Sequence, residues 1–500
     1  MISRLKQRGA GLLGTEEQPL RSELFNVDQL AVHARELAGK HELNPRRSPD
    51  LLLSRLAENE AVLLQAYELV NAAVGANLRI ASASEWLLDN FHLIEEQIRT
   101  ARRHLPRGYS RELPCLSSGP SAGQPRVYEI ALELISHVDG RIDEETVTSF
   151  VAAYETVAPL KLGELWAIPI MLRLALIENL RRVAARMASG RIERNEANRW
   201  ADRITDVVEK DPKNLILVMA DLARSGRPFS SAFVAELARR LQGQGTALAF
   251  PLTWIEQRLA EDGLKTDELV QSESQQRAAN QVSIGNSIGS LRFLGAMDWR
   301  ELVERISSVE KALREDPAGV YADMDFATRD RYRHVVEAAA KERALSEVDV
   351  ARKAVDLARE GASGAGAQER EAHVGYYLID DGMPRLEKLT GRRRSIRVAA
   401  ARIGRRFPLF FYLGTIAVLT ACAGAVVLAG AHYFGARGWT LALAGILPTL
   451  CATQMAVTLA NWLSTALAKP SPLPRRLAKQ ACANQLYISK FTPQTHGPIL

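Results

Sequence analysis

Between Arg406 and Lys469 lie 62 residues whose one formal charge is Arg437. A stretch so poor in charge cannot coat a water-soluble domain, and it is too long for an ordinary core helix, so it reads as membrane sequence. Its first apolar run, Phe407 to Ala431, has 25 residues, where a bilayer core takes about 20 at about 1.5 Å rise each. The second, Trp439 to Ala468, contains Pro448, Gln454 and Asn461, groups tolerated in lipid when a neighbouring helix or water satisfies them. Two antiparallel spans, 407–431 and 439–468, follow, and the lipid bilayer is the first expected partner.

The basic flanks orient the pair. Arg385, Lys388, Arg392, Arg393, Arg394, Arg397, Arg402, Arg405 and Arg406 precede the first span, and Lys469, Arg475, Arg476 and Lys479 follow the second. The connector AHYFGARG holds one arginine together with His432 and Tyr433, aromatics suited to an interface. Both ends are therefore expected on the cytoplasmic side of an inner membrane, in a multi-pass chain whose N-terminus is cytoplasmic. No signal peptide is legible: the apolar piece GAGLLG behind the basic residues at 4, 6 and 8 is too short.

Charge is divided as sharply as hydropathy. From Pro384 onward there are 15 Lys/Arg and one acid, Glu387, so this end carries +14 of a total of +6 and residues 1–383 carry −8. The arginine run at 392–394 accordingly reads as membrane topology and anionic-lipid contact rather than nucleic-acid binding. Four cysteines, at 115, 422, 451 and 482, have neither metal-knuckle nor disulfide-framework spacing, which fits a reducing compartment.

The acidic body predicts an all-α domain or domain pair. Apolar residues recur at helical spacing, strand alternation is scarce, and the 47% apolar and 24% charged composition is that of ordered protein. Ser82 with Glu85 has capping-box spacing, and Asp143 before Glu144 and Glu145 marks another helix start. Leu165 to Ile177 is apolar except at Pro169 and Arg173, too short to span a bilayer and so expected as a helix buried on most sides. Loops are expected at 117–124 and a hinge near 361–367, where Gly, Ser and Ala dominate. Regular repeats are not found.

Catalytic motifs are not visible: no GxxxxGK[ST] or HExxH occurs, no GxGxxG follows a strand pattern, and no GxSxG forms a nucleophile elbow between a strand and a helix. His92, Glu95 and Glu96 share one helix face as metal ligands would, but a lone triple of this kind is usually surface. Asp380 and Asp381 invite a reading as divalent-cation ligands for a sugar nucleotide, against which Gly382 and Pro384 argue for a loop. Tyr376 and Tyr377 read as helix packing before sugar stacking. No catalytic, cofactor-binding or metal residue is assigned; the assigned residues are the orienting cations Arg392, Arg393, Arg394, Arg397, Arg402, Arg405, Arg406, Lys469, Arg475 and Arg476.

Seven strings stand out in order along the chain: ENEAVLLQAYE (58–68), EWLLDNFHLIEEQIR (85–99), LPRGYSRELP (105–114), GELWAIPIMLRLALIENLRR (163–182), NSIGSLR (286–292), DWRELVERISSVEKALREDPAGVYADMDFATRDRYR (298–333) and HVGYYLIDDG (373–382). Together they resemble the N-terminal part of the bacterial cyclic β-1,2-glucan synthases. The resemblance runs from about Leu51 to Pro474, through the hairpin and the PLPR after it. It implies a large membrane glycosyltransferase that polymerises glucose from UDP-glucose with a divalent cation, Mg or Mn, into a periplasmic cyclic glucan. The transferase and phosphorylase-like domains of that family would lie beyond PLPR, so no catalytic residue is carried over.

The resulting organisation is an N-terminal extension (1–50), a cytosolic all-helical region (51–383), a basic juxtamembrane segment (384–406), the two-span hairpin (407–468) and a basic tail (469–500) that departs from the family after Pro474. That tail has no Asp or Glu and no strand pattern, so a truncated, frameshifted or fragmentary copy is expected, with a natural short relative as the alternative. Two functions stand: the regulatory and membrane-anchoring front of a glucan synthase, packing on its transferase domain, or a non-catalytic membrane-tethered module that recruits a cytosolic protein partner.

Overall fold

The computed structural model describes residues 18–44, 50–76, 78, 80–106, 108–225, 229–243, 248–341, 345–363, 370–391, 408–435 and 438–467, without the side chains at 408, 440–445, 447–450, 466 and 467. Among them the chain is all-α, with two isolated β-bridges, Leu43 with Leu116 and Cys115 with Pro125, and no strand. Two compact units, 1–310 and 311–500, divide it.

The first unit contains α1 (Val27–Lys40), α2 (Leu52–Gly75), α3 (Ser82–Asp89), α4 (Phe91–His104), α5 (Arg126–His137), α6 (Glu144–Glu155) and α7 (Leu162–Lys210). After them come α8 (Leu215–Arg224), α9 (Ser231–Leu241), α10 (Ala249–Glu261), α11 (Thr266–Ala296) and α12 (Trp299–Ile306). Its axis is α7, 49 residues long with Pro169 inside it, which at about 1.5 Å per residue extends about 70 Å. Every residue from Met171 to Arg181 is buried, so the apolar stretch 165–177 is the enclosed helix its composition predicts. Helices α2, α5, α9 and α11 pack on α7, and α1 packs on α6.

Two cores form on that axis. Leu165 to Ala188 of α7 join Leu30, Leu63, Ile94, Ile135, Phe150 and Ile288 in the larger, while Ala197, Ala201 and Ile204 join Val218, Phe233, Leu237 and Leu259 in the smaller. One buried acid on α7 is matched by an arginine of α5. Arg126 holds Glu164, which is 0% exposed, through Nε at 2.7 Å and Nη2 at 2.8 Å, a bidentate pair.

Helix starts are set locally. Asp143 caps α6, its carboxylate accepting from Thr146 N at 2.8 Å, as its sequence predicts. Ser82 does not cap α3: Ala81 is the cap and makes no side-chain bond, and Ser82 is already the first helical residue. The capping box lies instead on α1, where Asn26 Oδ1 accepts from Gln29 N and Gln29 Oε1 from Asn26 N, both at 2.9 Å.

The second unit contains α14 (Phe326–Lys341), α15 (Glu347–Ser363), α16 (Val374–Ile379), α17 (Met383–Thr390), α18 (Pro408–Tyr433) and α19 (Trp439–Leu467); α13 (Ser308–Leu313) contains the boundary. Asp316 is its polar centre, accepting from His373 Nδ1 at 2.7 Å, Val374 N at 2.9 Å and Tyr321 N at 3.2 Å. Its partners come from the strings at 298–333 and 373–382, so these fold onto one another. Gly361 lies inside α15, where an added Cβ would run into the Glu371 carbonyl; close backbone approach, not hinging, accounts for it. Residues 364–369 of the expected hinge lie outside the described residues.

Helices α18 and α19 pack along each other. Tyr412, near the start of one, donates to Asn461 Oδ1, near the end of the other, at 2.8 Å, which makes the pair antiparallel. Small residues, Gly424, Ala456 and Ala460, occupy buried positions, as close helix approach requires, while Leu409, Phe410, Val426 and Trp462 face outward. Among the described residues one helix, Leu409–Tyr433, is long and apolar enough to cross a membrane. The orienting cations Arg392, Arg393, Arg394, Arg397, Arg402, Arg405, Arg406, Lys469, Arg475 and Arg476 all lie outside the described residues.

Candidate functional site

Polar groups converge where α5 ends and turns toward α6. The last carbonyls of any helix lack intrahelical partners, and here the chain at 22–25 supplies them. Ser22 N donates to Ser136 O at 3.0 Å and Phe25 N to His137 O at 3.1 Å. The same segment returns a bond, because His137 Nδ1 lies 2.7 Å from the Glu23 carbonyl.

On one side of this turn Glu133 and His137, one helical turn apart on α5, face His33 of α1. His33 Nε2 is 2.9 Å and His137 Nε2 3.5 Å from Glu133 Oε2, and the three ligand atoms lie within 4.8 Å of one another. Phe25 closes the back, stacked on His137 at 4.1 Å and edge-on to His33 at 5.5 Å. Burial of Leu30, Ala34 and Ala38 seats α1, and the capping box fixes where it starts. Two imidazoles and a carboxylate so placed form a donor set for a divalent cation of the zinc type.

On the other side the turn is held by α11. Asp139 has φ 48° and Gly140 φ 75°, and a Cβ on Gly140 would stand 2.5 Å from Ser287 Oγ, so only glycine fits there. Ser290 Oγ donates to Gly140 O at 2.7 Å and accepts from Ile142 N at 2.9 Å. Asn286 Nδ2 reaches Asp139 O at 3.1 Å, and Asn179 Nδ2 reaches Ser283 and Ser287 at 3.0 Å each. The Asp139 carboxyl is 3% exposed; burial pushes its pKa up, against a Ser283 hydrogen bond and Arg21. The string NSIGSLR thus serves as a polar ladder that grips this turn.

The sequence candidates are placed differently. His92, Glu95 and Glu96 are all exposed on α4, and among the described residues the group close enough to share an ion is His33, Glu133 and His137. Asp380 is bound by Arg370 Nη2 at 2.7 Å, and Asp381 is exposed; the two form no shared cation site. Tyr376 and Tyr377 meet edge to face at 5.1 Å with Tyr377 buried, which is packing. Sequence reading missed His33, which stands a hundred positions from Glu133. The available signal was the Glu133 and His137 spacing, alike in kind to the triple on α4.

No family model matches the chain. Over 457 residues it is 32% identical to the cyclic β-(1,2)-glucan synthase NdvB of Rhizobium meliloti (strain 1021), a match covering 91% of this chain and 16% of that synthase. That identity, across nearly all of the chain's own length, supports membership in the cyclic β-(1,2)-glucan synthase family; the chain spans about one sixth of the length of the relative it matches.

Proposed function

We propose that this chain is the regulatory and membrane-anchoring part of a glucan synthase, with the glucosyl transfer performed by sequence outside it. The 32% identity over 457 residues to a cyclic β-(1,2)-glucan synthase carries this reading. In it, the acidic helical body stays cytosolic and packs on the transferase domain. The α18–α19 hairpin crosses the inner membrane twice, held with both ends inside by the arginines at 392–406 and the cations after 468. UDP-glucose and its Mg or Mn ion belong to the transferase domain, and no residue of this chain is assigned to either.

Membranes carrying this chain alone should incorporate no glucose from UDP-glucose. Co-expressed with the transferase-bearing part of a glucan synthase, the chain should co-purify with it and raise its output of cyclic β-1,2-glucan. Incorporation by the isolated chain would sink the non-catalytic assignment. Absence of both co-purification and stimulation would sink the regulatory one and favour a tethered module with another cytosolic partner.

The anchor is tested separately. Val427 is exposed on α18, and Val427→Arg places a charge near mid-bilayer at a cost of about 2.5–3.5 kcal/mol on insertion scales. Carbonate extraction of the variant should release a large soluble fraction where the parent chain stays in the pellet. Equal retention of both would count against α18 as a span.

A further inference from the structure

We propose that His33, Glu133 and His137 form a zinc site that fastens α1 to the C-terminal turn of α5. The proposal does not rest on the glucan synthase reading. Tetrahedral zinc with nitrogen and oxygen ligands at about 2.0–2.2 Å sets its ligand atoms about 3.3 Å apart. The two distances from Glu133 Oε2, 2.9 Å to His33 Nε2 and 3.5 Å to His137 Nε2, bracket that value. The third pair, His33 with His137, has its ligand atoms within 4.8 Å, so binding requires side-chain adjustment that draws the two imidazoles onto one ion.

The hydrogen bond of His137 is a second and independent pointer. A backbone carbonyl only accepts, so the 2.7 Å contact with Glu23 O places the ring hydrogen on Nδ1. Nε2 is therefore the nitrogen left facing Glu133 Oε2, 3.5 Å away. A cation between them would take a lone pair from each. An Nδ1–H donated to a main-chain carbonyl is also how metal-bound histidines are commonly oriented. On binding, the ring hydrogen of His33 moves from Nε2 to Nδ1 by exchange with solvent, which frees the Nε2 lone pair for the ion.

The site is walled by the Phe25 ring and reachable from solvent, since the His33 and Glu133 side chains are 22% and 30% exposed. Water at the open side supplies the fourth ligand, and the donors include no thiolate, a set suited to zinc.

The test uses the full chain in detergent micelles, stripped with chelator and titrated with cobalt(II), whose tetrahedral complexes absorb strongly in the visible. Wild type should take up one cobalt per chain with a tetrahedral spectrum, and zinc should displace it. His137→Ala and Glu133→Gln should each weaken binding by more than the about 10–100-fold that loss of an outer-shell partner costs, whereas His92→Ala on the exposed triple should change nothing. A wild-type chain that shows no stoichiometric tetrahedral cobalt overturns the site whatever the variants do. Retained binding in both folded variants, checked by circular dichroism, overturns the assignment of these ligands.

Discussion

Glu178→Ala is expected to lower the stability of the 1–310 unit by about 3–5 kcal/mol, the usual range for removing one partner of a buried ion pair. Glu178 is 1% exposed on α7 and takes four donors: Arg55 Nε at 3.0 Å and Nη2 at 2.6 Å, Arg181 Nη2 at 2.8 Å and Arg182 Nε at 2.7 Å. Arg55 comes from α2, so the carboxylate joins two helices of the larger core. Its removal strips a counter-charge from Arg181, itself buried, where charge is poorly solvated. Glu58→Ala is the control, because its 3.5 Å contact with Arg55 is exposed and pairs of that kind contribute about 0–1 kcal/mol. Urea unfolding followed by circular dichroism measures both. Equal, small losses would show that the arginines find other partners and that Glu178 does not organise this core.

Acid should remove stability from the same unit in two successive windows. Burial makes His41 hard to protonate, and Arg126 adds to this, so its pKa falls from 6.5 to about 4. Above pH 6.5 the imidazole is neutral whether folded or not, and its contribution is complete. Between 6.5 and 4 the unfolded chain takes a proton that the folded chain refuses, and stability falls, by less than the shift alone would give because water screens the partly exposed ring. Glu178 acts lower. Burial alone would raise its pKa, but hydrogen bonds and charge from Arg55, Arg181 and Arg182 bring it from 4.5 to about 2. Its contribution is present above 4.5 and is lost as pH falls toward 2, by about 3 kcal/mol. Glu129 and Asp139, whose pKa values burial raises, gain from protonation in the fold and blunt the lower window. The melting temperature should therefore decline from pH 6.5 downward, and His41→Gln should flatten the upper part of that decline. A midpoint constant from pH 6.5 to 4.5 in the parent chain would contradict the His41 assignment.

What was legible in the sequence was whatever depends on composition and near neighbours. A run from Leu165 to Ile177 with so little polarity leaves no face for water, and the chain encloses it. Asp143 followed by two glutamates is a local cap, and it caps. Spacing alone failed where two frames satisfy it: Ser82 and Glu85 match a capping box, yet burial of Ala83, Ser84 and Leu87 sets the helix one residue earlier, with Ala81 at the cap. Gly361 looked like a hinge because small residues mark both freedom and close contact, and only the Glu371 carbonyl beside it tells them apart. The cluster of His33, Glu133 and His137 depends on α1 returning to the end of α5 across a hundred residues, and no local pattern encodes that return.

Because α7 supplies a wall to each of the two cores of the first unit, neither can loosen alone. A slip of one helical turn at the Leu165 end, about 5.4 Å, arrives undiminished at Ala197 and Ile204, since a continuous helix does not shorten. The two cores share a rigid strut, and a push received by one is delivered mechanically to the other.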